Sequence, residues 1–373
     1  MPALKLAIVC RPFSFHGGIE TATAGLMGEL LRRGHAVDLV STAAQDDVAG
    51  ATVRRIRTPA FPSTLRLLGF AFAARRVVAR AGYHVVQSHE RGLLQDIYRA
   101  GEGTHRGYLS AMGRRRARAN PYHRLVCALE ARIFALRSAR HIVAISQSSA
   151  GEIRALYATP ADRTSVVYNG VDLDRFHPDN RARHRAAVRG SLGLAERTWV
   201  VLFVGSGFER KGLGSLIEAV GRLGDRHVHL VVAGKGDAEP YRRRATDLGL
   251  GERIHWLGPR QDVERLYAMA DAVALPAVYE PFGNVHLEAL ASGVPVLSTA
   301  GAGGSEVIGH GESGWIVPET GPDAIRSGLD AIRSLTPSRA AAAARKAAEP
   351  STYGAQADAL EAIYRRLTAT SGA

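Results

Sequence analysis

The chain has 373 residues, 46% apolar and 22% charged, which is ordinary for a globular protein and exceeds the length at which one hydrophobic core stops growing, so two domains are expected. Its net charge of +13 points to an anionic partner such as nucleic acid, phospholipid or a phosphorylated substrate. Two distant cysteines, Cys10 and Cys127, without metal-type or redox-type spacing argue against a disulfide framework and a zinc site.

The first apolar run, Leu4 to Val9, is short and contains Lys5, unlike a signal peptide, and no stretch approaches the roughly 20 apolar residues of a membrane span. A cytoplasmic protein, soluble or peripheral on the inner face of the membrane, is the expectation. "LKLAIVC" (4–10) reads as a buried strand, followed by a Gly-Gly turn and a helical period in "IETATAGLMGELLRRG" (19–34). Further strands are expected at 36–41, 51–56, 83–88, 141–146 and 164–169. After Pro178 a polar, Arg-rich stretch reads as a linker near 172–195, and the alternation then restarts. Strands are expected at 199–206, 228–234, 253–258, 272–277, 294–299 and 314–318, separated by amphipathic helices, and the Ala-rich tail from about 338 reads as helical. Alternating strands and helices imply two doubly wound parallel-sheet α/β domains, with ligands beyond the C-terminal strand ends and a cleft between the domains as the default site.

Two segments carry chemistry. "GSGFERKG" (205–212) ends a strand and opens a helix; its glycines let a backbone approach a ligand, and Arg210 and Lys211 add two positive charges beside a helix N-terminus. The spacing fits neither a Walker A motif nor a dinucleotide fingerprint, and a turn with a solvated basic pair is the plain alternative. In "VYEPFGNVHLEALASGVPVL", Glu280 should lie on a strand-end loop and Glu288 one to two turns into the next helix. Gly283, Asn284 and Val285 then offer the helix start to phosphate or sugar oxygens, while the carboxylates accept hydrogen bonds from hydroxyls.

"EPFGNVHLEALASGVPVLST" resembles the E-x7-E signature of retaining glycosyltransferases of family 4. "VGSGFERKGLGSLIEAV" resembles that family's phosphate-binding segment, "YNGVDLDRFHP" its hinge motif and "FHGGIE" its N-terminal Gly-Gly loop. Within the family, "GSGFERKG", "LGPRQDV" and "LLQDIYRAGEGTHRGYL" look most like the lipopolysaccharide core α-glucosyltransferases. The resemblance implies a GT-B fold, two facing Rossmann-like domains over 1–175 and 176–351, with a final helix (about 352–373) packing back on the first. It also implies a nucleotide-sugar donor, most often UDP-linked, and an acceptor such as an inner-core heptose.

Carried over by the resemblance, Arg210 and Lys211 neutralise the donor diphosphate, Glu280 holds the donor sugar's hydroxyls, and Glu288 binds the ribose. The backbone of Phe282, Gly283 and Asn284 lies against sugar and phosphate, with Gly205 beneath; Arg260 neighbours the base, and Gly17 and Gly18 approach the phosphates. On the first-domain side the resemblance places an acidic residue, near Asp96 or Glu102, toward the reacting centre, and His89 is the candidate for a histidine that other family members carry at this strand end, open to a purely structural reading; Glu102 stands where related core enzymes often carry aspartate. No metal or other cofactor is expected, because Arg210, Lys211 and the helix start suit the charge building on the leaving diphosphate. "DLD" (172–174) resembles a metal-binding D-x-D but lies within the hinge motif. The family implies front-face attack, whereas double displacement would need a carboxylate nucleophile.

Residues 99–140 hold ten arginines against Glu102 and Glu130, a candidate surface for lipopolysaccharide phosphates or an anionic inner-membrane leaflet. A solvated Arg-rich helix is the alternative. Nucleic acid is not an expected partner: no helix-turn-helix, zinc or stacking motif accompanies the arginines. A silent sugar-nucleotide-binding protein is disfavoured by the intact Arg210, Lys211, Glu280 and Glu288.

Overall fold

The computed structural model describes residues 2–12, 18–114, 117 and 119–369. Two compact units emerge, each built on a parallel sheet. In the first, strands β1 (Lys5–Val9), β2 (Ala36–Thr42), β3 (Thr52–Ile56), β4 (Val85–Ser88), β5 (Ile97–Arg99), β6 (His141–Ala144) and β7 (Thr164–Val166) lie in the order β3-β2-β1-β4-β5-β6-β7. Helices α1 (Gly18–Arg32), α2 (Ser63–Val78), α3 (His105–Ala111), α4 (Pro121–Phe134) and α5 (Gln147–Tyr157) follow between them.

Both faces of this sheet are covered, which is why β1 is apolar throughout rather than alternating. Leu6 and Ile8 pack with Leu26, Met27 and Leu30 of α1 and with Leu360, Ile363 and Tyr364 of the C-terminal helix. Ala7 and Val9 face the other way, toward Phe70 and Ala74 of α2. Polar ties hold the C-terminal helix as well: Arg33 reaches the Gly354 carbonyl at 2.9 Å, and His35 Nε2 lies 3.1 Å from Glu361 Oε1.

The second unit spans Gly170–Thr352. Its strands β8 (Trp199–Val204), β9 (Val228–Ala233), β10 (Ile254–Gly258), β11 (Ala272–Leu275), β12 (Val296–Thr299) and β13 (Gly314–Val317) take the order β10-β9-β8-β11-β12-β13. Helices α6 (Asn180–Ser191), α7 (Leu213–Arg222), α8 (Glu239–Asp247), α9 (Val263–Met269), α10 (Asn284–Ala291), α11 (Pro322–Arg333) and α12 (Pro337–Ala348) belong to it, and the C-terminal helix α13 (Tyr353–Ala369) returns to the first unit. The first division falls after Asn169 rather than after residue 175. Val171 bridges Thr352 and donates its N–H to the Ser351 carbonyl at 2.8 Å, binding both passages of chain into the second unit.

Two further expectations need correction. β5 went unread because "IYR" is three residues long and carries the buried Arg99. The stretch expected as a linker contains a helix, α6, whose inward face is made of guanidinium groups spaced four residues apart. Arg181 and Arg185 lie 3.1 and 2.9 Å from Asp271 Oδ1, and Arg189, buried, lies 2.6 Å from Oδ2. Asp271 also accepts the Val200 N–H at 2.9 Å, so one carboxylate ties α6 to the start of β8.

Candidate active site

In each sheet the chain builds outward from the first strand in one direction and then restarts on its other side. In the second unit that reversal lies between β8 and β11, and it is beyond the C-terminal ends of strands at such a reversal that open parallel sheets bind ligands in a crevice. The segment after β8 carries Gly205, Arg210 and Lys211; the one after β11 carries Glu280, Phe282 and Gly283.

Glu280 is the hub. Its Oε2 lies 2.9 Å from Lys211 Nζ and 3.0 Å from Arg210 Nη1, which also donates to the Tyr279 carbonyl at 2.8 Å. Burial alone would raise this carboxyl, but Lys211 and Arg210 outweigh it and hold the pKa down at about 2. Glu280 is therefore ionised, and the trio keeps one net positive charge. Gly205 makes the geometry possible, since a Cβ there would stand 2.5 Å from Lys211 Cδ.

Gly283 caps α10 with φ +82°, a left-handed conformation that glycine adopts without strain, and supplies no capping side chain. The start of α10 thus presents backbone toward the crevice, with the positive end of the helix dipole. Phe282 and Val285 bury their side chains in the unit, so their contribution to a ligand is through the backbone. The 3-10 turn Gly303–Val307 is pinned alongside by the Gly303 N–H on the Glu280 carbonyl at 2.9 Å.

Glu288 lies one turn further along, partly buried, and accepts from the Tyr267 hydroxyl of α9 at 2.7 Å. Burial raises its pKa, opposed by that hydrogen bond and by Arg175. Arg260 sits in the loop before α9, exposed and forked onto Asp262 at 2.7 and 2.6 Å. It is held on its own loop, next to the helix that supplies Tyr267. "DLD" reads structurally: Asp172 Oδ1 accepts the N–H groups of Asp174 and Arg175 at 3.0 and 2.9 Å, bracing a turn. Among the described residues no cluster of three or more His, Cys, Asp or Glu is arranged to hold a metal ion.

The first unit divides its expected residues. Its reversal lies between β1 and β4, and His89 and Glu102 follow the C-terminal ends of β4 and β5, whereas Asp96 precedes β5. Asp96 accepts the Val86 N–H at 2.8 Å and lies 3.3 Å from Arg140, so it braces the opposite end of the sheet. That position corrects the expectation that Asp96 points toward the reacting centre.

His89 is buried and engaged through both ring nitrogens. Gln87 takes the Tyr364 hydroxyl on its Oε1 at 2.8 Å and donates its amide to His89 Nε2 at 2.9 Å, leaving Nδ1, 3.2 Å from Thr23 Oγ1, as the donor. Burial and the Arg99 charge push its pKa well below the usual range, so the ring is neutral. Glu102, in contrast, belongs to a chain of alternating charges at the strand ends. Arg11 links Glu90 (2.7 Å) to Glu102 (2.9 Å), and Arg91 links Glu102 (3.1 Å) to the buried Glu130 (2.9 Å). Gly18 opens α1, and Gly17 lies outside the described residues.

Sequence reasoning missed Tyr267, Arg11, Arg91, Glu130 and His286. Only His286 carried a local signal, its one-turn spacing from Gly283.

The glycosyltransferase family 4 model matches residues 16–175, and the group 1 glycosyl transferase model matches residues 184–349, together covering most of the chain. The chain belongs to glycosyltransferase family 4. This family-4 chain is 29% identical over 354 residues to an uncharacterized glycosyltransferase of Methanocaldococcus jannaschii, covering 89% of each. It is 35% identical over 239 residues to a D-inositol 3-phosphate glycosyltransferase of Mycolicibacterium gilvum (62% of this chain, 53% of the relative). With the lipopolysaccharide glucosyltransferase WaaG of Escherichia coli it shares 30% identity over 200 residues (53% and 54%), so the matched region spans about half the length of these last two relatives. Among solved structures, WaaG superposes with a TM-score of 0.84 at 22% identity (96% and 99% covered), and Anabaena HepE, in complex with UDP-glucose, with 0.76 at 20% (97% and 100%). The fold is GT-B.

Proposed function

We propose that this family-4 glycosyltransferase moves a hexose, with glucose the first choice, from a UDP-sugar to an inner-core heptose of lipopolysaccharide or a similar glycan. The observation that carries the reading is the ionised Glu280 held between Lys211 and Arg210 beside the start of α10, where the cap residue is Gly283. Diphosphate oxygens suit the two cations and the helix start; sugar hydroxyls suit Glu280; ribose hydroxyls suit Glu288, and the base falls near Arg260. The names of two similar proteins, a lipopolysaccharide glucosyltransferase and a UDP-glucose complex, support the same donor and acceptor classes.

In the transfer, the bond from the anomeric carbon to the β-phosphate oxygen breaks and the acceptor oxygen bonds to that carbon from the same face, retaining configuration. The acceptor's proton passes to the leaving phosphate. Arg210, Lys211 and the α10 terminus stabilise the charge that develops there, and a divalent cation is not needed for that task. Glu102, with its arginine neighbours, faces acceptor hydroxyls. The decisive experiment screens UDP-glucose, UDP-galactose, UDP-N-acetylglucosamine and GDP-mannose for hydrolysis and transfer, with and without chelator. Full activity in Glu280→Ala or Lys211→Ala would overturn the site.

The chain is further proposed to be cytoplasmic, peripheral on the inner membrane face. No helix among the described residues is long and apolar enough to cross a membrane. Of the ten arginines in 99–140, Arg115, Arg116 and Arg118 lie outside the described residues. Arg99 is buried, Arg106 donates to the Leu156 carbonyl and Arg140 pairs with Asp96, whereas Arg114, Arg124, Arg132 and Arg137 are exposed. Vesicle co-sedimentation tests this surface: binding that ignores anionic lipid and salt would remove it. A second reading, a family-4 hexosyl- or mannosyltransferase acting on another glycolipid or an exopolysaccharide precursor, is favoured by the 35% identity to an inositol phosphate enzyme. The acceptor arm of the same screen separates the two.

A further inference from the structure

Beneath the start of α10 lies a side chain that the transfer scheme above does not use. His286 is completely buried, one turn after Gly283. Its Nδ1 lies 2.7 Å from the Gly283 carbonyl oxygen and its Nε2 lies 2.8 Å from Ser298 Oγ on β12. A carbonyl only accepts, so Nδ1 carries the proton and Nε2 accepts from the serine hydroxyl. Burial lowers the ring pKa to about 4, so this neutral tautomer persists at ordinary pH.

The Gly283 carbonyl also accepts the His286 backbone N–H at 3.0 Å. Two donors on one oxygen fix the plane of the peptide between Gly283 and Asn284. In a trans peptide the N–H points opposite to the C=O, so the Asn284 N–H is directed away from His286. Space for the imidazole is equally constrained: a Cβ on Gly283 would stand 2.8 Å from Nδ1, and one on Gly304 would collide with both Nδ1 and the Phe282 carbonyl. The ring is sealed in place.

We propose that His286 is a positioning residue that locks the Gly283–Asn284 peptide with its N–H turned toward the sugar-phosphate end of the donor, with Ser298 fixing the tautomer that does so. Without the lock the peptide can rotate and bring a carbonyl oxygen to where phosphate charge develops, which repels it. The inference rests on the donor reading of this site.

The test compares two replacements of nearly equal shape. His286→Asn keeps an N–H near the position of Nδ1, and His286→Leu does not. With wild-type binding of nucleotide sugars measured first by calorimetry, His286→Asn is expected within about threefold of wild-type kcat. His286→Leu is expected to lose about 10–100-fold in kcat, with donor KM within about threefold, as when one oriented donor is removed. Leu keeping wild-type kcat, or Asn falling as far as Leu, overturns the proposal. A wild-type chain that binds no nucleotide sugar overturns the donor reading itself, and this inference with it. Should melting curves show that His286→Leu does not fold, Ser298→Ala takes its place: a several-fold fall in kcat at unchanged KM supports the lock, and an unchanged kcat overturns it.

Discussion

Lys211 Nζ lies 2.9 Å from Glu280 Oε2, and Arg210 Nη1 approaches the same oxygen at 3.0 Å. One carboxylate thus balances one of two cations and keeps both side chains oriented where a diphosphate would arrive. Glu280→Gln removes the anion and leaves the cations. UDP is expected to bind at least as tightly as to wild type, while kcat for transfer falls on the order of 10²-fold because the sugar's hydroxyls exchange a charged carboxylate for a weaker, neutral amide acceptor. Calorimetry with UDP beside initial rates checks this. A tenfold loss of UDP affinity would sink the counterion role of Glu280.

The α6 arginines depend on Asp271 alone among the carboxylates that they share. Asp271→Asn leaves the buried Arg189 without its anion and Arg185 with only the exposed Glu196 at 3.5 Å, and breaking a buried pair costs about 3–5 kcal/mol. For a chain this size the melting temperature should drop on the order of 10 °C. The surviving folded fraction should keep its kcat, because Asp271 is at the start of β11, away from the strand ends that carry Glu280. Calorimetric melting with activity per folded molecule decides it; an unchanged melting temperature would show that the stripe contributes nothing.

Much of this was readable in the sequence for a physical reason. Strands covered on both faces appear as uninterrupted apolar runs; Arg210, Lys211 and Glu280 stand just beyond the ends of such runs, and Glu288 lies in the helix that follows. β5 escaped because its buried Arg99 breaks the run, and without β5 nothing in "LLQDIYRAGEG" tells that Asp96 precedes a strand whose far end leads to Glu102. α6 escaped because its inward face is charged, whereas helix patterns are recognised by apolar stripes. His286 escaped because a histidine in an apolar helix does not reveal that its ring turns back to the carbonyl of the preceding turn.

Acid stability should report the buried histidines before the carboxylates. Burial lowers His105, His141 and His286 to about 4, and His89 well below its ordinary value. Unfolded histidine titrates near 6.5, so between about 6.5 and 4 the unfolded chain binds protons that the folded chain does not. Their contribution is therefore complete above about pH 6.5 and is lost as pH falls toward 4, at about 1.4 kcal/mol per pH unit for a fully buried ring such as His286 and less for the partly exposed His105. Glu280, held at about 2, keeps its contribution down to the unfolded carboxylate range and loses it only as pH falls further, through about 2. Urea unfolding across pH 4.5–6.5 should show a slope shallower by about one proton in His286→Asn than in wild type. Equal slopes would mean that His286 is protonated in the folded chain.

Asp96 and Glu102 offer a final contrast, because they lie six residues apart and at opposite ends of β5. Asp96 holds the Val86 N–H and Arg140, both structural partners, so Asp96→Asn should lower the melting temperature while leaving the kcat/KM of folded protein within about threefold. Glu102 is about one-third exposed and shared by Arg11 and Arg91 beyond the C-terminal end of β5. Glu102→Gln should therefore cost about tenfold or more in kcat/KM for the acceptor, with donor hydrolysis in the absence of acceptor unchanged. If donor hydrolysis falls in parallel with transfer, Glu102 acts on the donor instead. If Asp96→Asn lowers kcat/KM without lowering stability, the assignment of the two ends of β5 is reversed.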